Sequence, residues 1–114
     1  MDLKGIELGV FVGSKEEAIN KLVDLMCATG KISDKDAYKE GILAREALTS
    51  TSIGEGIAIP HAQVAAVKAP GLAAMTMPVG VDYESLDGQP AHLFFMIAAP
   101  ADGRSTHLQA LAKL

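Results

Sequence analysis

One cysteine, Cys27, stands in a chain of 114 residues. No internal disulfide can form, and a reducing compartment suits the chain without being demanded. Net charge is −4, and no cluster of lysine or arginine offsets it. That excludes the electrostatic footprint of a nucleic-acid binder. The longest apolar run, Leu93 to Ala99, falls far short of a membrane span. The start, Met1-Asp2-Leu3-Lys4-Gly5, lacks the basic and apolar regions of a signal peptide. A cytosolic protein fits these absences, and any work near a membrane would go through a partner. There is no Walker A sequence, no His-x-x-x-His or Cys-x-x-Cys pair, and no evident Ser-His-Asp arrangement. No cofactor or metal is therefore expected.

What is present reads as one α/β domain over 1–114. Apolar residues make up 49% of the chain, enough for a core in a domain of this size. Ile6 to Phe11 partly alternates and predicts a first strand. Ser14-Lys15-Glu16-Glu17 forms a capping-box pattern, and Ile19, Leu22, Val23 and Met26 follow at helical spacing. Burying those four would contribute about 1.5–3 kcal/mol each. Gly30 suits the C′ position. Cys27 borders this face and reads as a small buried hydrophobe. A second helix is predicted from Asp34 to about Ala47, with Tyr38, Ile42 and Arg45 along one side. Gly41 in its middle costs about 1 kcal/mol against alanine, which marks a candidate close approach of backbone.

Residues 49–56 read as loop, Ile57 to Ile59 as a short strand whose ladder Pro60 ends, and Lys68 to Gly71 as a turn. Leu72 to Val79 is strand-like, with Pro78 at its end or at a sheet edge. Leu86-Asp87-Gly88 suggests a hairpin-type turn. Leu93 to Ala99 is apolar on both faces and belongs inside a covered sheet. A last helix begins near Ser105 and reaches Leu114 with no Gly, Asn or Pro to stop it, so the domain reads as C-terminally truncated. The expected order is β-α-α-β-β-β-α, a mixed sheet flanked by helices.

The candidate chemistry centres on His61. A lone histidine is more often structural than functional. Three features favour function here. Pro60 fixes the backbone before it. The preceding strand gives it a rigid edge. Gly54 and Gly56 let main chain approach a ligand. A neutral imidazole is a competent nucleophile near pH 7. A phosphoryl electrophile would also need cationic and N–H donors, and Arg45, Thr49, Ser50, Thr51 and Ser52 supply that chemistry nearby. The same hydroxyls also suit an ordinary turn. His107 falls in the first turn of the last helix, where it is either an exposed helix-start residue or a donor to an anion. His92 reads as structural.

The segment from Arg45 to His61, Arg-Glu-Ala-Leu-Thr-Ser-Thr-Ser-Ile-Gly-Glu-Gly-Ile-Ala-Ile-Pro-His, resembles the active-site segment of the EIIA domains of the sugar phosphotransferase system, fructose/mannitol class, the fructose-specific type above all. The resemblance continues through Ser85 to Pro90, Phe94 to Pro100 and His107 to Leu114, and so covers the whole chain. It implies a phosphocarrier. His61 would accept a phosphoryl group from phospho-HPr and pass it to a cysteine of an EIIB domain, with this domain fused to or associated with a membrane EIIC. His107 would support the phosphoryl group and Arg45 would meet it, with Thr49, Thr51, Ser52 and Glu55 in the phosphate-contacting loop. A Glu55 carboxylate would repel phosphate, so a contact with Arg45 or the loop backbone is expected of it. Domains of this family continue through further helices, which strengthens the expectation of a truncated chain. The nitrogen-related EIIA proteins share the motif, so a regulatory module acting through protein binding stands as the alternative.

Overall fold

Two capped helices set the scaffold. The computed structural model describes residues 3–101. Helix α1 spans Lys15–Ala28; the Ser14 hydroxyl accepts from the Glu17 amide, satisfying a donor the first turn leaves free. It buries Ala18, Ile19, Leu22, Val23, Leu25 and Met26, adding Ala18 and Leu25 to the expected stripe. Thr29 ends it and Gly30 follows at φ 78, the left-handed C′ residue expected of a glycine there. Helix α2 spans Lys35–Leu48, with the Asp34 carboxylate accepting from the Ala37 amide. Its buried residues are Tyr38, Ile42 and Glu46. Cys27 is half-buried against the core, and burial pushes its thiol pKa up.

Among the described residues, six strands form one mixed sheet. They are β1 (Ile6–Glu7), β2 (Ser52–Gly54), β3 (Ile57–Ala58), β4 (His61–Val64), β5 (Gly71–Val81) and β6 (Ala91–Pro100). The order is β1-β5-β6-β3-β2, with β4 also on β6. The mixed sheet with helices against it is the expected class, but three details differ. The first strand stops at Glu7, because Gly9 at φ 70 turns the chain away. The hydroxyl-rich stretch expected as loop contains β2, which pairs antiparallel with β3 around the Gly54-Glu55-Gly56 turn. Pro78 does not end β5, which continues to Val81; its pairing to β6 is irregular between Thr76 and Val81, where a missing N–H does least harm. The observed order through Pro100 is β-α-α followed by five strands. The last helix expected near Ser105 lies outside the described residues.

Strand register explains the core. Met75 pairs with Phe94, Ala73 with Met96, and Ala62 with Ala98. All six are buried in one cluster with the apolar stripes of α1 and α2. Successive strand residues alternate faces. His61, one residue before Ala62, is therefore turned to the opposite face, where its partner Ile97 is 2% exposed and lies outside that cluster. Helix α2 approaches β4 closely: a Cβ on Gly41 would stand 2.8 Å from Val64 Cγ1 and 3.3 Å from Ala62 Cβ. The close approach suspected at this glycine is there, and β4 is the element it admits.

Candidate functional site

Strand β4 begins on His61, which corrects the expectation that this histidine follows a strand in a loop. The ladder on β6 does not end at Pro60. Ile57 faces Leu93 and Ala58 faces Phe94; after the proline, His61 faces Ile97 in the same register. Pro60 interrupts the pairing without shifting it. Its own carbonyl accepts from the Ile97 amide at 3.0 Å, and the next residue resumes the strand.

The residue before the proline directs its backbone groups away from β6, as its amide bond to Thr51 shows. Ile59 lies between β3 and β4, and its oxygen stands 2.9 Å from His61 Nδ1. A carbonyl has no proton to give, so the ring nitrogen must donate. His61 Nδ1 therefore carries the proton, and the neutral ring keeps its lone pair on Nε2. The half-buried imidazole is held at one nitrogen and presents the other.

Ile59 is fixed in turn. Its amide donates to the Thr51 carbonyl at 3.1 Å. Thr51 is buried, its amide donates to Glu46 Oε1 at 3.1 Å, and its hydroxyl makes a short bond to Glu46 Oε2. Glu46 is 8% exposed and pairs with Lys15 Nζ at 3.0 Å. Lys15 also reaches Glu84 at 2.9 Å and lies 4.6 Å above the Tyr83 ring. Burial works to lower the Lys15 pKa, but Glu84 and Glu46 together outweigh it and the net shift is upward. Burial pushes the Tyr83 phenol up as well, and the Glu46 charge adds to that. From β6, Tyr38 of α2 donates to the Ile97 carbonyl at 3.1 Å, opposite His61.

The other expected residues divide in two. Arg45 lies in the last turn of α2, where Nη1 donates to the Thr49 carbonyl at 3.0 Å. Among the described residues, the rest of its guanidinium fork makes no hydrogen bond. Thr49 is the exposed C-cap of the same helix. Thr51 and Ser52, by contrast, are buried with their hydroxyls committed inside the protein. Ser52 Oγ donates to the Ile57 carbonyl and accepts from Ser85 Oγ at 2.7 Å. These two side chains hold the loop together. Ser50 does the same, donating to the Tyr83 carbonyl at 2.7 Å. Glu55 is at the tip of the β2–β3 turn, flanked by Gly54 and Gly56, and all three residues have positive φ. What is held there is its amide, which donates to Asp87 Oδ2 at 3.0 Å. Asp87 was expected only as a turn residue, and the turn is present; its carboxylate also clamps the hairpin from across the sheet. His92 Nδ1 donates to the Met77 carbonyl, 3.1 Å away, with its ring filling the space beside Gly80 and Gly56. His107 lies outside the described residues.

Sequence reasoning missed Glu46. It adjoins Arg45 and looks like one more surface charge on a helix, yet it follows Ile42 by four residues and Tyr38 by eight. Helical spacing alone would have put it on the buried face. Among the described residues, no group of three or more His, Cys, Asp and Glu side chains is placed to hold a metal ion, and no helix is long and apolar enough to cross a membrane.

Fold and site together define a small α/β domain that presents one histidine nitrogen from a strand end. Residues 1–114 match the family model described as phosphoenolpyruvate-dependent sugar phosphotransferase system, EIIA 2, and the chain belongs to that family. It is 53% identical over 109 residues to the PTS system fructose-specific EIIABC component of Bacillus subtilis, covering 96% of this chain and 17% of that protein. It is 43% identical over 101 residues to the fructose-specific EIIA component of Haloferax volcanii, covering 89% and 66%. The chain thus spans a small part of the first relative and just under two thirds of the second. The crystal structure of the nitrogen regulatory protein IIA-Ntr from Neisseria meningitidis has a similar fold, with a TM-score of 0.89 at 33% identity over 99% of this chain and 77% of that one. The mannitol enzyme IIA of Escherichia coli, solved in complex with phosphorylated enzyme IIB, gives a TM-score of 0.81 at 29% identity over 99% and 79%.

Proposed function

We propose that this domain is a cytoplasmic phosphocarrier for fructose-type sugar uptake, accepting a phosphoryl group from phospho-HPr on His61 and passing it to an EIIB cysteine. The observation that carries the reading is the His61 Nδ1 contact with the Ile59 carbonyl, in a chain of this family. The Nε2 lone pair attacks phosphorus; the N–P bond forms as the bond to the donor breaks. The ring then bears positive charge, and the Nδ1–H···O=C bond becomes charge-assisted and stronger. An EIIB thiolate next attacks phosphorus, an S–P bond forms, and the electron pair of the N–P bond returns to Nε2. No proton need leave Nδ1 at any point. Arg45 and His107 would neutralise and orient the equatorial oxygens. Support for an EIIB partner comes from the Escherichia coli complex, and support for fusion with EIIB and EIIC from the Bacillus subtilis relative. The likeness to the Neisseria meningitidis regulatory protein favours a second reading, a regulatory module acting through protein binding.

The test is transfer of labelled phosphate from phospho-HPr to the chain and onward to EIIB. The wild type labels and H61A does not; H107A labels and transfers more slowly. A wild type that takes no label, or an H61A variant that does, overturns the carrier reading. Labelling that stops at this chain, with no passage to any EIIB, favours the regulatory module.

A further inference from the structure

We infer that Glu46 is a positioning residue for His61, acting through Thr51 and Ile59 to hold the imidazole in one tautomer and one orientation. The inference rests on the reading of His61 as the acceptor, and goes beyond it to a carboxylate that touches neither phosphate nor ring.

The connection is a continuous line of bonds. Glu46 grips Thr51 at both its amide and its hydroxyl. A residue bound at two points cannot rotate about its backbone without breaking one of them. The Thr51 carbonyl is therefore fixed, and it takes the Ile59 amide at 3.1 Å. The Ile59 carbonyl is what His61 Nδ1 donates to, at 2.9 Å. Ile59 and Pro60 lie outside the paired stretches of β3 and β4. The sheet holds this dipeptide through Pro60, whose carbonyl accepts from Ile97. The bond from Thr51 holds Ile59 on its other side. Without that bond, the Ile59 carbonyl can tilt away from the ring and the Nδ1 proton loses its acceptor. The two neutral tautomers of imidazole then compete, and the one protonated on Nε2 has no nucleophilic lone pair there.

The expense of this arrangement argues that it has a use. A carboxylate 8% exposed is costly to bury unless paired. Lys15 supplies the pair, itself held by Glu84 and stacked over Tyr83. Helix α1, helix α2 and the β5–β6 connection thus all contribute to a cluster whose output is the position of Thr51.

The experiment compares E46A, E46Q and T51V with D34A, which removes the cap of the same helix but leaves the cluster intact. Nitrogen-15 spectra of the His61 ring report the tautomer above the ring pKa, and labelling by phospho-HPr reports the rate. Wild type and D34A show the Nδ1–H form alone. E46A shows both tautomers and labels about tenfold more slowly at saturating donor, since small misplacements of a reacting group carry costs of that order or more. E46Q, which keeps an acceptor for the Thr51 amide, recovers most of the single-tautomer signature. T51V, which removes only the hydroxyl bond, lies between, and it decides the matter if E46A does not fold. A single Nδ1–H tautomer in E46A, or in T51V where that variant stands in, overturns the inference. So does equal mixing in D34A, which would reduce Glu46 to general stability. A wild type that takes no label overturns the carrier reading instead, and the tautomer comparison still decides the role of Glu46.

Discussion

Replacing Gly41 with alanine should destabilise the protein, although the same change in most helix interiors does the opposite. Gly41 lies in the middle of α2, where alanine gains about 1 kcal/mol in intrinsic helix propensity. The gain is opposed by contact with β4. The new methyl would stand 2.8 Å from Val64 Cγ1 and 3.3 Å from Ala62 Cβ. Val64 is β-branched and stiff at χ1, so relieving the first contact means a strained rotamer or a shift of the strand. Ala62 has no rotamer to change, so the second contact can be relieved only by backbone movement. Overpacking of this kind costs about 1–3 kcal/mol. The net loss is about 1 kcal/mol, which lowers Tm by roughly 5 °C in a domain of this size.

Urea denaturation of G41A, V64A and the double variant separates the two effects. Trimming Val64 removes the nearer clash, so G41A/V64A should be more stable than the two single changes predict by addition, with a coupling of about 1 kcal/mol. The strand that must shift carries His61 three residues before Val64. The His61 ring resonances should therefore move in G41A and return toward wild-type positions in the double variant. A G41A protein as stable as the wild type or more so, with additive energetics, would refute the packing argument and the role given to this glycine.

Three further outcomes follow from other contacts of the fold and the site. Tyr38→Phe removes a buried bond to the Ile97 carbonyl and should cost about 1 kcal/mol in urea denaturation, with no change in denaturant slope. Asp87 accepts from the Gln89 amide first and the Glu55 amide second, and both hold its carboxyl below the ordinary 3.8. A depressed folded pKa means stability that is present above the unfolded value and lost as pH falls through the folded one. Asp87→Ala should therefore melt lower than wild type at pH 6, and the two should converge as pH drops below about 4. Arg45→Lys keeps the charge but loses the planar fork, so phospho-HPr labelling should slow while melting changes little.

The helices were legible in the sequence because their signals are local. Ser14 and Asp34 each stand where a cap must be, and both accept the expected amide. The apolar stripe of α1 follows from spacing alone. Strand β6 was legible for a different reason, since a run apolar on both faces has nowhere to go but the inside of a sheet. The hydroxyl segment was not legible. Thr, Ser and Gly carry turn propensity, and that propensity does not disclose a partner. Ser52 enters a strand because β3 lies beside it and because Ser85, thirty-three residues on, meets its hydroxyl. Glu46 was hidden by its type: a glutamate next to an arginine on a helix reads as surface until the lysine that balances it is seen on another helix.

Pro60 shows most clearly what sequence reasoning could and could not reach. A proline lacks an N–H, and the inference that it breaks a ladder is sound chemistry. Whether the strand ends there or resumes depends on the neighbour, and β6 continues unbroken past it. Because pairing resumes in the same register, the break is local, and what is lost is one N–H, that of residue 60 toward β6. The Ile59 carbonyl is left unpaired by the sheet just where a histidine two residues on can reach it. The Ile59 carbonyl does not compete for β6 in any case: it faces away from that strand with its own amide, which donates to Thr51. The group placed to pair it there is the Thr51 amide, and Glu46 takes that amide. The buried carboxylate, more than the proline, thus leaves the Ile59 carbonyl to the imidazole and bears on which ring nitrogen is a nucleophile.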